Sequence, residues 1–113
     1  MRRVATLLVA LAVPMLPAHA ADAPDNVVAT LATRFLPAQV TVHAGETLDL
    51  LNLENSPHDL VARDWADGRP LFQSAVVGIG GQARVARVET LPPSLYPFYC
   101  TVHDTMTGVL LVQ

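Results

Sequence analysis

The chain has 113 residues, 51% hydrophobic and 15% charged, with one cysteine and a formal charge of −3. That length accommodates one small domain. The acidic balance argues against nucleic acid or an anionic membrane as a partner.

The first twenty residues read as a secretory signal peptide. Arg2 and Arg3 form a positive start, Val4 to Leu16 an apolar run, and Ala18-His19-Ala20 a small-x-small cleavage site. The apolar run is broken by Pro14 and is shorter than the roughly 20 residues that a membrane-spanning helix needs. The expected mature chain, residues 21–113, keeps five arginines and no lysine against ten carboxylates, a formal charge of −5. An exported protein of this kind belongs in the periplasm, with no membrane insertion after cleavage. In such an oxidising compartment an unpaired cysteine is reactive, intermolecular or a metal ligand. Cys100 has no internal partner for a disulfide.

No part of the remaining chain keeps a helical period. Short runs rich in Val, Leu and Thr, punctuated by Pro and Gly, predict an all-β protein. The first run spans Asn26 to Thr33 and closes at Phe35-Leu36-Pro37. Val40 and Val42 alternate with Thr41 and His43 up to the Ala44-Gly45-Glu46 turn, and Leu48 and Leu50 flank Asp49 in the next strand. His58 to Ala62 is expected as a short strand entered through Ser56-Pro57. Residues 63–70, "RDWADGRP", read as a polar loop with Trp65 covering the core edge. Gln82 to Thr90 is expected as a strand with a bulge or an edge position, because Arg84, Arg87 and Glu89 keep no single face. After the Pro92-Pro93 turn come strands at Tyr96 to Cys100 and Gly108 to Val112. The total is seven to eight strands without repeat, linker or low-complexity tract, which predicts a two-sheet sandwich.

The chemistry lies between the last two strands. In "YPFYCTVHDTMTGVLLV" the residues Cys100, His103 and Met106 follow at intervals of three, on a tight connection able to turn three side chains toward one point. Thiolate, imidazole and thioether together favour copper. A second histidine is needed for a His₂Cys plane with a weak axial Met. His19 leaves with the leader and His43 faces away from the apolar side of its strand. His58, in "NSPHDL", is the favoured donor. A structural zinc site would not use a thioether, and the Cys-x-x-Cys-His of a c-type haem is absent.

The stretches "FLPAQVTVHAGETLDLLNLENSPHDL" and "YPFYCTVHDTMTGVLLV" together resemble the cupredoxins, in particular the plastocyanin/amicyanin group of blue copper proteins. The resemblance runs from Phe35 to Val112, and the two-residue gap between His103 and Met106 is similar to the short amicyanin loop. It implies a Greek-key β-sandwich binding one mononuclear type 1 copper ion, with His58, Cys100 and His103 in the copper plane and Met106 axial. One position departs from the family pattern. An Asn usually follows the first histidine and ties its segment to the cysteine loop, whereas this chain has Asp59. Asp59 is expected to accept the same hydrogen bond from Thr101, and its charge is expected to favour Cu(II).

These readings converge on a periplasmic, monomeric electron carrier, not an enzyme, that shuttles one electron between a donor and an acceptor of dehydrogenase or cytochrome type. His103 is expected to face solvent among Leu36, Pro37 and Val102, with acidic flanks steering a basic partner. Copper chaperoning or storage is the alternative. It suits Met- and His-rich sites, and Met106 is the one methionine beyond the leader. Catalysis at an open copper site would need further histidines, of which only His43 is left.

Overall fold

The computed structural model describes residues 23–113; the expected leader lies outside the described residues. Two four-stranded sheets carry the domain. The first contains β1 (Asn26–Leu31), β2 (Arg34–Leu36), β4 (Leu48–Asn52) and β8 (Gln82–Arg84), in the order β2-β1-β4-β8. The second contains β3 (Gln39–Val42), β5 (Val61–Ala62), β9 (Ser94–Tyr99) and β10 (Thr107–Val112), in the order β3-β10-β9-β5. β1 runs parallel to β4, and β3 parallel to β10; the other neighbours are antiparallel. Such parallel pairs between non-consecutive strands require the chain to cross between sheets, as it does in a Greek-key sandwich. The expected all-β sandwich of seven to eight strands is therefore found.

Alternation writes the core. In β3 only Val40 and Val42 are buried, and in β10 Leu110 and Val112 are buried beside exposed or half-buried neighbours. Facing them are Val28, Phe35, Leu48 and Leu50 of the first sheet. Phe35 meets Phe98 edge-on at 4.9 Å between ring centroids, bridging the two sheets. Each large apolar side chain so enclosed contributes about 1.5–3 kcal/mol. Gly108, the second residue of β10, leaves no room for anything larger: a Cβ there would collide with the Phe98 ring and stand 2.7 Å from the Ala38 carbonyl oxygen.

Four local expectations are corrected. The first run is not one strand. Ala32 and Thr33, both at φ 55°, form a two-residue turn that folds β2 back on β1. In the predicted strand at His58 to Ala62, only Val61–Ala62 joins a sheet, because His58 pairs singly with Val77. The predicted strand at Gln82 to Thr90 ends at Arg84. Arg87, at φ 77°, turns the chain into a 3-10 helix at Val88–Thr90. That short strand does lie at a sheet edge, and Arg84 pairs with the largely buried Asp49 across the ladder. Finally, Trp65 does not cover the core. It stands 63% exposed on a two-stranded ribbon formed by β6 (Trp65–Ala66) and β7 (Arg69–Pro70), turned by Asp67 and Gly68.

Candidate metal centre

The first arm of the site is the segment leaving β4. Asn52, the last residue of that strand, is fully buried and satisfied on every side. Its Oδ1 accepts from the Thr30 hydroxyl at 2.8 Å and from the Glu54 amide at 2.9 Å. Its Nδ2 donates to the Ser56 and Val77 carbonyls at 2.8 and 2.9 Å. One amide thus coils "NLENSP" into a compact loop, and a buried hub with all its bonds made is rigid. The loop delivers His58, which exchanges two backbone hydrogen bonds with Val77, at 3.1 and 2.8 Å. The His58 side chain is 0% exposed; its Nε2 lies 2.8 Å from Glu54 Oε1.

The second arm is the connection between β9 and β10. Cys100 follows the last residue of β9, and its amide donates to the Met106 carbonyl at 3.1 Å, while the Met106 amide donates to the His103 carbonyl at 2.9 Å. These two bonds close the loop and keep Thr107 paired with Tyr99 at the mouth of the hairpin. Cys100 and Met106 are both buried, and His103 is partly exposed.

Asp59 locks the arms together. Its two carboxylate oxygens accept from the Thr101 amide at 2.6 Å and the Thr101 hydroxyl at 2.5 Å, and its own amide points at Cys100 Sγ, 3.5 Å away. Hydrogen bonds to an ionised carboxylate are roughly twice as strong as neutral ones. The Asp at this position therefore makes the tie expected of it.

These ties bring His58, Cys100 and His103 together at one pole of the sandwich, with the buried Met106 bonded through its backbone to Cys100 and His103. His58 Nδ1 lies 3.8 Å from Cys100 Sγ, across 42 residues of sequence. The rings of His58 and His103 are 4.9 Å apart at their centroids. His43 is exposed at the far end of β3 and takes no part. Among the described residues no three His, Cys, Asp or Glu side chains form a ready metal cage, so the fit of an ion rests on narrower observations. One is an orphan: His103 Nε2 is buried without any hydrogen-bond partner in the described structure. A buried polar atom left alone costs about 1–3 kcal/mol, and a bound ion would remove that cost. The other is the donor set of two imidazoles, a thiol and a thioether, which suits copper.

Of the residues expected to form an apolar rim, Leu36 is 45% and Val102 41% exposed, with Pro37 also exposed. The His103 side chain is less open than expected, since its Nε2 is covered. Sequence reasoning did not single out Asn52, Thr30 or Glu54. The available signal was an Asn at the end of a buried strand, whose side-chain oxygen can accept from the amide two residues later, an Asx pattern that folds loops.

Comparisons with known proteins agree with this architecture. The cupredoxin-like domain family matches residues 4–112. An amicyanin from Paracoccus versutus is 28% identical over 99 residues, covering 86% of this chain and 73% of that protein. The solved structure of a reduced amicyanin variant superposes with a TM-score of 0.67 at 22% identity, over 83% of this chain and 89% of that one. A purple cupredoxin from Nitrosopumilus maritimus superposes with a TM-score of 0.63 at 21% identity, over 79% and 100% of the two chains. Sandwich, closed cysteine loop and matched sequence lead to one conclusion: the chain belongs to the cupredoxin family.

Proposed function

We propose that the mature protein is a periplasmic electron carrier holding one type 1 copper ion through His58, Cys100, His103 and Met106. The observation that carries this reading is the approach of His58 Nδ1 to Cys100 Sγ, 3.8 Å, inside a pole whose two arms are bonded to each other through Asp59 and Thr101. When bound, copper supplies one-electron chemistry between Cu(I) and Cu(II).

The protein's part is to make that exchange need little rearrangement. His58 is fixed by its backbone pair with Val77, and Cys100 by the closed loop and the Asp59 amide. Burial of His58, Cys100 and Met106 keeps water from three of the four donors. His103 is the donor nearest solvent, so it is the route by which an electron enters and leaves, with Leu36, Pro37 and Val102 forming the apolar rim for contact. The formal charge of −5 over residues 21–113 supports attraction of a basic redox partner. Export rests on the signal-like sequence of residues 1–20, and amino-terminal sequencing of periplasmic protein should begin at Ala21.

Copper-loaded mature protein should show an intense thiolate-to-copper band, a narrow-hyperfine EPR signal and a reversible one-electron wave. A colourless Cu(II) sample sinks the proposal. Metal donation to an acceptor without reversible redox colour would move the protein to copper handling.

A further inference from the structure

We infer that the mature protein pairs with a second copy of itself through the open edge of β3, in place of the monomer expected from the sequence. Copper plays no part in this pairing. An edge strand presents a row of unbonded amides and carbonyls, and proteins blunt such edges with charge, proline or a covering segment. On one side of the sandwich the edges are covered. Gln73 pairs both with Val61 of β5 and with Ala86, just beyond β8, and the Ala62 amide donates to the Phe72 carbonyl at 2.9 Å. One segment thus closes both sheets there. The opposite side is made by β2 and β3. β2 begins with Arg34 and is followed at once by Pro37. β3, Gln39-Val40-Thr41-Val42, has no charge, no proline and, among the described residues, no covering segment.

The free backbone groups of β3 fall on two residues. The Ala38 and Val42 carbonyls accept from the Val109 and Gln113 amides at 2.9 Å, and the register sets Val40 opposite Leu110. Residues 38, 40 and 42 therefore turn their backbone groups toward β10, while Gln39 and Thr41, both exposed, turn theirs outward. The next positions on that outer side are closed. Pro37 has no amide hydrogen. At His43 the amide donates to Glu46 Oε1 at 2.9 Å and the carbonyl accepts from the Glu46 amide at 3.0 Å. Free residues bounded by blocked ones fix a single register. A second copy, turned about a two-fold axis at Val40, sets Gln39 against Thr41 of the other chain and Thr41 against its Gln39. In an antiparallel ladder each such pair exchanges both of its backbone hydrogen bonds. A patch that fits itself in this way is the mark of an isologous contact, so the occupant is a second copy. Charge agrees, since two chains of formal charge −5 would meet at a strand that carries no carboxylate. β3 starts beside the hairpin that holds Cys100 and runs away from it, so antiparallel pairing sends the two poles to opposite ends. So short an edge makes a weak, transient pair.

Sedimentation of the mature protein from micromolar to millimolar concentration should show a reversible monomer–dimer equilibrium. Hydrogen exchange at the Gln39 and Thr41 amides should slow as the dimer fills. Thr41→Pro removes a donor that β10 does not use, a place where an edge strand tolerates proline. Gln39→Pro does the same at the other free residue, and serves if T41P fails to fold. Each should weaken the pair about tenfold or more, with the far-ultraviolet dichroism of the monomer unchanged. A wild type that stays monomeric at millimolar concentration overturns the inference. A dimer that both proline variants leave intact, or one whose amides at 39 and 41 exchange as fast as the monomer's, also overturns it by placing the contact elsewhere. Pairing of this edge only with an extended segment of a different protein would do the same. None of these readouts needs a metal, so failure of the copper reading would leave them standing.

Discussion

His58 is enclosed by bonds that the protein makes to itself: two to the Val77 backbone, and Glu54 within hydrogen-bond distance of the outer ring nitrogen. His103 lies on the hairpin connection, partly exposed, with a buried ring nitrogen that no described group satisfies. Folding thus fixes the His58 ring through several partners, whereas the buried Nε2 of His103 has none among the described residues. On the proposed reading, a pole with one preset donor and one nearer the surface would hold its metal tightly and still pass charge outward.

The largest expected effect comes from exchanging the two treatments. His58→Gly should abolish the blue band, and added imidazole should not restore it, because the space lies wholly inside the protein. The apo domain should also lose about 3 kcal/mol, the usual cost of emptying a large buried site. His103→Gly should cost the apo domain about 0.5 kcal/mol or less, and added imidazole should restore much of the band. Equal rescue of both variants would erase the distinction. Full blue colour in His103→Gly without any added ligand would remove His103 from the site.

Next in size is the base of the hairpin. Gly108→Ala forces a methyl group into the Phe98 ring and the Ala38 carbonyl. It should destabilise the domain by about 1–3 kcal/mol through overpacking, measurable by denaturant titration. Because Gly108 lies just beyond the loop, the copper spectrum should broaden as well. An unchanged spectrum would show that the loop is insulated from its strand.

Asp59→Asn should change less. Asn can still accept from the Thr101 amide, and its Nδ2 can donate to the Thr101 hydroxyl, so the tie survives with its polarity reversed. Loss of the charge-assisted bonds should cost about 1 kcal/mol, and the reduction potential should rise. A potential equal to or below that of the wild type would show that Asp59 places no effective charge near the ion.

The smallest effects are those of pH away from the pole. Burial raises the Tyr96 hydroxyl above its ordinary value of 10.0, and the group donates to the Pro92 carbonyl at 2.5 Å. Its contribution is complete below that ordinary value and is lost as pH climbs through the raised one. Glu46, in the turn at the far end of β3, is held below 4.5, first by the His43 amide and then by the Asn26 side chain. Its contribution is present above 4.5 and fades as pH falls through the lowered value. Tyr96→Phe should remove the alkaline slope alone, and Glu46→Gln the acid one.

What the sequence disclosed follows from how far each signal reaches. Alternation at Val40/Val42 and the interval Cys100-His103-Met106 are local patterns, visible in a few consecutive residues. The Asp59–Thr101 tie needed knowledge of a partner 42 residues away, and the family resemblance supplied it. Glu54 had no such help, because its carboxylate accepts from the Thr33 amide, in a turn that reads as strand in a Val- and Thr-rich run. Left-handed Ala32 and Thr33, and Arg87 likewise, defeat strand prediction for one reason: their conformations are imposed by contacts, against the preferences of their side chains. Trp65 was misjudged because a large ring in a polar loop usually finds cover, whereas here the two-stranded ribbon carries it outward.

That outward placement has a practical corollary. The chain's one indole is already in water before the domain opens, so its emission should sit near that of a free solvated indole and shift little during unfolding. Fluorescence titrations would then under-report cooperative loss of the interior. Ultraviolet dichroism from Tyr96 and the buried phenylalanines, or the colour of the copper-loaded protein itself, should follow that loss more faithfully.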